Sequence, residues 1–366
     1  MTSRVRRNHV SKHRAVICPL VRISPIPRGA PTQCDAYALG NNHPADRLMA
    51  EQELAPGAAD RSCDYSEEPL VSVVIPTYNG AVYLSTAIES VLAQTYTPME
   101  CIVIDDGSTD DTPAIIASFG PRIRGMSQTN AGFARARNRG ARLARGELIS
   151  FLDHDDCWRP TKVKRQVQAI AGRSDVAVVY TAVELIDERG AHLGTIPAPP
   201  ATAALRNTIL MEAPHLALEQ GALIRREAFF SLGGFDERLT TSIGCDLACR
   251  LALDYAVEPV DEPLAAYRQH SEHQMHHDLS SLERDMRLIY RKLLARDEDH
   301  RRLLRSAQYN LDVCLANWYW REEQRPVRAL WHAGRATARR PGHVFARLAG
   351  MRSGSASRLR LPSKRR

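Results

Sequence analysis

VSVVIPTYNG, residues Val71 to Gly80, is an apolar run that turns polar at its end, and the same change recurs in Cys101 to Thr112 (CIVIDDGSTDDT) and Ile149 to Asp156 (ISFLDHDD). Short unbroken apolar runs rich in Val and Ile are what strands buried on both faces require. Pro76 is expected to stop the first of them. Between the strands, Ala81 to Ala93 sets Ala87, Ile88, Val91 and Leu92 on one helical stripe, and Gly132 to Leu143 reads as a second helix. With Glu100 to Ile104, Arg122 to Met126 and Leu148 to Leu152 as further strands, the chain repeats β-α-β. That pattern predicts a parallel sheet wound by right-handed crossovers.

Such sheets bind ligands beyond the carboxyl ends of their strands, so Thr77, Asp105, Asp106, Asp153, Asp155 and Asp156 are predicted around one pocket. A pocket with that many carboxylates needs a cation. Asp153 and Asp155 share a side if the strand continues through them, and His154 then points away and reads as a packed histidine. A second reading makes these acids the cap of a helix from Arg159 to Ala171, with Pro160 in its first turn. Asp106-Gly107-Ser108 is also good turn chemistry, which is compatible with a binding role.

Composition bounds the function classes. The chain has 366 residues, 44% hydrophobic and 25% charged, enough for one sizeable domain with appendages. No apolar run approaches the roughly 18 residues of a membrane span. Eight cysteines lie scattered without a CxxC pair, which fits a reducing cytoplasm. The net charge of +7 belongs to the ends: 13 of the 49 basic residues fall in 1–34 and 351–366, where no acid occurs, so 36 basic residues face 42 acidic ones between. A body at −6 argues against a nucleic-acid groove. The basic tail 351–366 is a candidate for contact with the inner face of a membrane.

Residues 1–68 lack periodicity and are expected to be disordered, with Met49 as a candidate natural first residue. Residues 69–278 form the expected main domain, and 279–350 read as a helical extension. There Leu282, Met286, Ile289, Leu293 and Leu294 make one stripe and Leu311, Cys314, Leu315 and Trp318 another, while Trp320, Leu330 and Trp331 are expected to be buried.

Seven ordered motifs, PTYNG at 76–80, QTY at 94–96, DDGSTDDT at 105–112, QTNAGFARARNRG at 128–140, FLDHDD at 151–156, GGFDERL at 233–239 and YRQH at 267–270, resemble the family 2 glycosyltransferases. The resemblance implies an α/β GT-A fold, Rossmann-like, with a mostly parallel sheet flanked by helices. It also implies an inverting transfer from a nucleotide-diphosphate sugar donor to a glycan or lipid-linked acceptor, with Mn²⁺ or Mg²⁺ as cofactor. By resemblance, Asp155 is the metal ligand and takes part in catalysis, Asp153 reaches the ribose or the metal, and His270 approaches the metal or the diphosphate. Pro76, Thr77, Tyr78, Asp105, Asp106 and Arg137 fall at donor-binding positions, while Asp156 orients its turn. Such a dication suits the chemistry, because it neutralises charge developing on the departing diphosphate.

The acceptor side departs from the family. Its pattern after GGFDE reads Glu-Asp-x-Asp-Leu-x-x-Arg, with the first Asp as general base. Here Asp246-Leu-Ala-Cys-Arg250 matches the second half, and Ile243-Gly244 stand where Glu-Asp is expected. A general base contributes about 10² to 10⁴ in rate. Asp246, or else Asp236 or Glu237, is therefore expected to take over; the alternative is a degenerate protein that binds nucleotide sugar or serves as a scaffold.

Overall fold

The apolar runs become strands for the reason their composition suggests, and the chain folds back on them. The structure is a computed structural model and describes residues 68–211, 216, 218–270, 279–296, 300–321 and 324–341. The expectations for 1–67 and for the tail 351–366 lie outside these residues. In the first half, β1 (Val71–Thr77), α1 (Leu84–Leu92), β2 (Met99–Asp105), α2 (Thr112–Ser118), β3 (Arg124–Ser127), α3 (Phe133–Leu143) and β4 (Leu148–Phe151) alternate as expected. There follow β5 (Cys157–Trp158), α4 (Lys162–Ile170), β6 (Val176–Ile186), β7 (His192–Ile196), α5 (Ala201–Leu210), β8 (Leu223–Arg225), α6 (Arg226–Ser231), α7 (Ile243–Asp254) and β9 (Ala256–Arg268). Three helices close the described chain: α8 (Leu279–Arg296), α9 (Arg301–Arg321) and α10 (Pro326–Arg339).

The strands form one sheet in the order β3-β2-β1-β4-β8-β6-β9-β5, with β7 beside β6. Pairing is parallel from β3 to β4 and again between β6 and β9. β8 reverses the direction, lying antiparallel to both β4 and β6. Its three residues are too short to show a period, so the sequence did not disclose it. The reversal has a positional effect: Leu223 pairs with Ser150, so the residues just before β8 lie beyond the carboxyl end of β4.

Pro76 does not end β1, which runs on to Thr77. The carbonyl of Val74 accepts from Leu152 N–H (3.0 Å), which fixes that side of β1 as the one facing β4. Residue 76 presents its nitrogen to the same side, where the β4 ladder has already ended at Phe151, so the missing N–H breaks no pair. Beyond that point the chain leaves β1 for β2 on one side in the strand order and leaves β4 for β5, at the far edge, on the other. This is the switch point at which open sheets hold ligands.

Alternation along the strands fills two layers. Val71, Val73 and Ile75, with Cys101 and Val103, pack against Leu84, Ile88 and Val163 on one face. Val74, Ile102, Ile104, Ile149 and Phe151 face the other, which α3, α5 and α7 cover. The C-terminal helices join this second core: Met286, Ile289, Tyr290, Leu293, Leu304, Leu311 and Leu315 share it with Ile209, Leu247 and Leu251. Asp312, fully buried, receives Arg287, His332, Arg335 and Arg339. Trp320, Leu330 and Trp331 are not buried as expected, being 59%, 65% and 53% exposed. Their side of the helices turns away from the core, and Tyr319 and His332 stack inward instead.

Candidate active site

Three carboxylates gather where β4 ends. Asp153, Asp155 and Asp156 each offer an oxygen within 4.8 Å of the others. None caps α4, whose N-cap is Thr161, so the capping reading fails. The chain turns sharply here, with Asp156 N–H donating to the Asp153 carbonyl (3.1 Å), and then runs back along β9 as β5. That return brings residues from the far end of the sequence to the cluster. Arg268 N–H donates to Asp156 Oδ1 (2.9 Å) and its Nε to the Asp155 carbonyl (2.9 Å). Two residues on, His270 Nε2 lies 3.0 Å from Asp155 Oδ2, its ring 5.2 Å from that of Tyr83.

The electrostatics of the three acids differ. Burial together with the charges of Asp155 and Asp153 pushes the Asp156 carboxyl well up. Burial also disfavours ionised Asp155, but the hydrogen bond from His270 and the nearby His154 and His270 charges outweigh it and hold the group below the usual carboxylate range. The same hydrogen bond raises His270. Asp153 is ion-paired with Arg137, which comes from α3 and is 1% exposed. The guanidinium of Arg137 sits 5.7 Å from the rings of Phe133 and Phe235, and Phe235 closes an aromatic cluster with Phe151 and Phe229.

This cleft is where buried polar atoms go unpaired. Among the described residues, ten buried side-chain nitrogens and oxygens lack a partner within the protein, and six of them belong to Thr77, Arg137 (Nε and Nη1), His154, Asp156 (Oδ2) and His270. Buried polar groups are nearly always satisfied, so such a concentration marks a place that takes a polar ligand. The donor set, oxygen-rich and crowded with like charge, fits a hard dication such as Mg²⁺ or Mn²⁺. His154 is stacked on Phe133 (6.4 Å), the packed role expected of it.

The two acids after β2 are largely engaged within the protein. Asp106 accepts from Gln128 Nε2 (2.6 Å) and from the N–H groups of Ala131 and Gly132 (2.9 and 2.8 Å). It thereby holds the loop that starts α3. Asp105 accepts from Ser108 N–H (2.9 Å) and Ser127 Oγ (3.2 Å). Both are 2% exposed, so each is foremost a brace for the loops that wall the cleft. Thr77 is buried at the end of β1, Pro76 precedes it there, and Tyr78 is half-buried just beyond.

The acids expected to stand in for the missing base are each bonded to basic side chains. Asp246, 2% exposed, is held between Arg250 Nε (2.8 Å) and Lys292 Nζ from α8, and Arg250 also donates to the carbonyls of Leu232 and Gly234. A carboxylate enclosed by two cations is a joint between helices, not an available base. Asp236 bonds Arg238 and Lys292 and is held below the usual range by them. Glu237 pairs with Arg135 (3.1 Å) and with Asn138, which clamps the Gly234-Phe235 turn to α3. Gly234, at φ +70° with Asn138 Oδ1 2.8 Å from where a Cβ would stand, cannot be another residue without strain.

Sequence reading overlooked Glu219. It lies in the turn before β8, where Gly221 and Ala222 N–H both donate to the Leu218 carbonyl (3.2 Å). Ser150 Oγ holds the Ala222 carbonyl (2.9 Å) and Gln166 Nε2 that of Gly221 (3.0 Å). The half-buried Glu219 carboxyl accepts from Gly244 N–H at the start of α7. It is raised by burial and by Asp153, with Arg137 opposing. A Cβ built on Gly244 would fall on that carboxyl group itself.

Residues 72–232 match the family model described as Glycosyl transferase family 2. A protein of Rickettsia felis named as an uncharacterized glycosyltransferase is 36% identical over 210 residues, which are 56% of this chain and 35% of that protein. One from Nostoc is 34% identical, over 55% of this chain and 65% of its own length. The chondroitin synthase of Escherichia coli is 33% identical over 50% of this chain and 26% of its length. The chain thus spans about a quarter to two thirds of these relatives. Among solved structures, S. aureus TarS 1–349 in complex with UDP-GlcNAc superposes with TM-score 0.56 at 20% identity, covering 75% of this chain and 83% of that one. The mannosyltransferase PcManGT from Pyrobaculum calidifontis in complex with GDP-Man and Mn²⁺ gives 0.51 at 18%, covering 84% and 85%. The fold is GT-A.

Proposed function

We propose, from the premise that residues 72–232 are a family 2 glycosyltransferase domain, that this chain moves a sugar from a nucleotide-diphosphate donor to a hydroxyl on a glycan or lipid-linked acceptor, with inversion at the anomeric carbon. The carrying observation is the coincidence of three carboxylates with six unpartnered buried polar atoms at the switch point of the sheet. In this reading Asp153, Asp155 and Asp156 hold a divalent cation, with His270 beside Asp155. That cation, when bound, offsets the charge accumulating on the leaving diphosphate. The free Nε and Nη1 of Arg137 face donor oxygens, a bidentate task that suits a guanidinium. Pro76, Thr77 and Tyr78 line the end of β1 where the nucleoside enters, and Asp105 and Asp106 keep the loops around it in place.

The test is binding first and turnover second. With Mn²⁺, one of UDP-GlcNAc, UDP-glucose or GDP-mannose is expected to raise the melting temperature of the full chain. Asp155→Asn is expected to weaken that donor at least tenfold and abolish its dependence on manganese. Unchanged affinity and metal dependence in the variant would reject the site. Gly244 and the engaged Asp246 also support a second reading, a protein that binds donor without transferring it. That reading is favoured if bound donor releases no nucleotide diphosphate.

A further inference from the structure

A transferase needs a base for the acceptor hydroxyl, and each acid that the sequence offers for it is tied to cations in the structure. We infer that Glu219 is that base: the carboxylate missing from position 244 has been supplied by a different residue, and Gly244 is glycine because Glu219 fills the space its side chain would take. The inference rests on the proposed transferase activity and adds to it the identity of the residue that receives the proton.

Three observations carry it. First, a Cβ at 244 would fall 1.9–2.0 Å from the atoms of the Glu219 carboxyl, so this carboxylate occupies the space in which a side chain at 244 would begin. Secondly, the reversed strand β8 delivers residue 219 beyond the carboxyl end of β4, beside the acidic cluster, and the carbonyl anchors from Ser150 and Gln166 fix the turn. The charges of Arg137 and Asp153 act on it there, which puts it on the side of the proposed donor site. Thirdly, the side chain is half-buried, it accepts from the backbone N–H groups of Gly244 and of Glu219 itself, and no salt bridge ties it to a basic side chain among the described contacts. The contrast with Asp246 and Asp236, each enclosed by two basic side chains, is direct.

In the step assigned to Glu219, its carboxylate takes the proton of the acceptor hydroxyl as that oxygen forms a bond to the anomeric carbon. The bond from that carbon to the diphosphate oxygen breaks, and its electron pair leaves with the nucleoside diphosphate. The carboxylic acid returns its proton to water. When water is the acceptor, the same balance gives hydrolysis, which allows the step to be followed without a known acceptor.

The test uses the full chain with Mn²⁺ and whichever of UDP-GlcNAc, UDP-glucose and GDP-mannose shifts its melting temperature, reading nucleotide diphosphate release. Glu219→Gln keeps an oxygen for Gly244 N–H and removes only the base. It is expected to melt and bind donor like the wild type while kcat falls by about 10² or more. The pair Glu219→Ala with Gly244→Asp is expected to recover at least tenfold over Glu219→Ala alone, since it returns the carboxylate to the helix start. Release by Glu219→Gln within twofold of the wild type would make Glu219 only a helix cap and overturn the inference, as would a double variant no faster than Glu219→Ala. Wild-type protein that binds donor but releases nothing overturns it as well. Wild-type protein that binds none of the donors instead overturns the transferase reading beneath it.

Discussion

Gly244→Ala inverts an ordinary expectation about helices. Gly244 lies in the first turn of α7, and its backbone is not in the left-handed region. Replacing such a glycine by alanine normally stabilises a helix by about 1 kcal/mol. Here the added methyl would occupy the site of the Glu219 carboxyl, so the carboxylate must leave and its hydrogen bond from Gly244 N–H is lost. A hydrogen bond to a charged group is worth about 1.5–3 kcal/mol. Setting the loss against the gain leaves a net destabilisation of about 0.5–2 kcal/mol. Urea unfolding of the full chain measures it, and a double-mutant cycle isolates the cause: in a Glu219→Ala background the same substitution is expected to stabilise by about 1 kcal/mol, a coupling of about 1.5–3 kcal/mol between the two positions. Stabilisation by Gly244→Ala in the wild-type background, or a cycle that closes to zero, would refute the placement of Glu219.

Asp246→Asn leaves Arg250 and Lys292 facing a neutral group. With side chains 12% and 26% exposed, they regain some water, so the cost is expected at about 2–3 kcal/mol, below the full penalty for breaking a buried pair. Donor binding per folded molecule should be unchanged; a hundredfold loss of nucleotide release at undiminished stability would instead restore Asp246 as the base. Far from the cleft, burial raises Glu100, but hydrogen bonds from Ser72, Arg145 and Arg124 bring it from an ordinary 4.5 down to about 2. A depressed carboxyl stabilises fully above the unfolded value and loses that contribution as pH falls through the folded one. The ~3 kcal/mol implied drops to about 2 because Arg124 and Arg145 are 40% and 69% exposed. Urea midpoints of the wild type should therefore fall between pH 4.5 and 2 more steeply than those of Glu100→Gln, and parallel profiles would contradict the assignment.

The first four strands and the acidic turn after β4 were legible because their signals are local: unbroken Val and Ile runs, then Asp at the point where the run ends. The proximity of His270 to Asp155 was legible only through the family resemblance, since it depends on β5 folding back along β9. That Asp246 is enclosed by Arg250 and Lys292 was not legible, because a helix from much later in the chain carries Lys292 to it. Glu219 could not be found at all. No pattern in a sequence says that the side chain of one residue will fill the space left by another 25 positions later, and β8, which makes the meeting possible, is three residues long.

Lys292 has a consequence for anyone trimming this chain. One ammonium on α8 neutralises Asp236 in the turn after α6 and Asp246 in α7, and Asp285 on the same helix receives the N–H groups of Thr240 and Thr241 between them (2.7 and 2.8 Å). A protein cut where the family match ends would lose α7 and β9 outright, and one cut just before Leu279 would keep every described strand and every acid at the cleft and still lose the counter-charge to Asp236 and Asp246. The smallest autonomous unit therefore extends well past the homologous segment, to include at least α8.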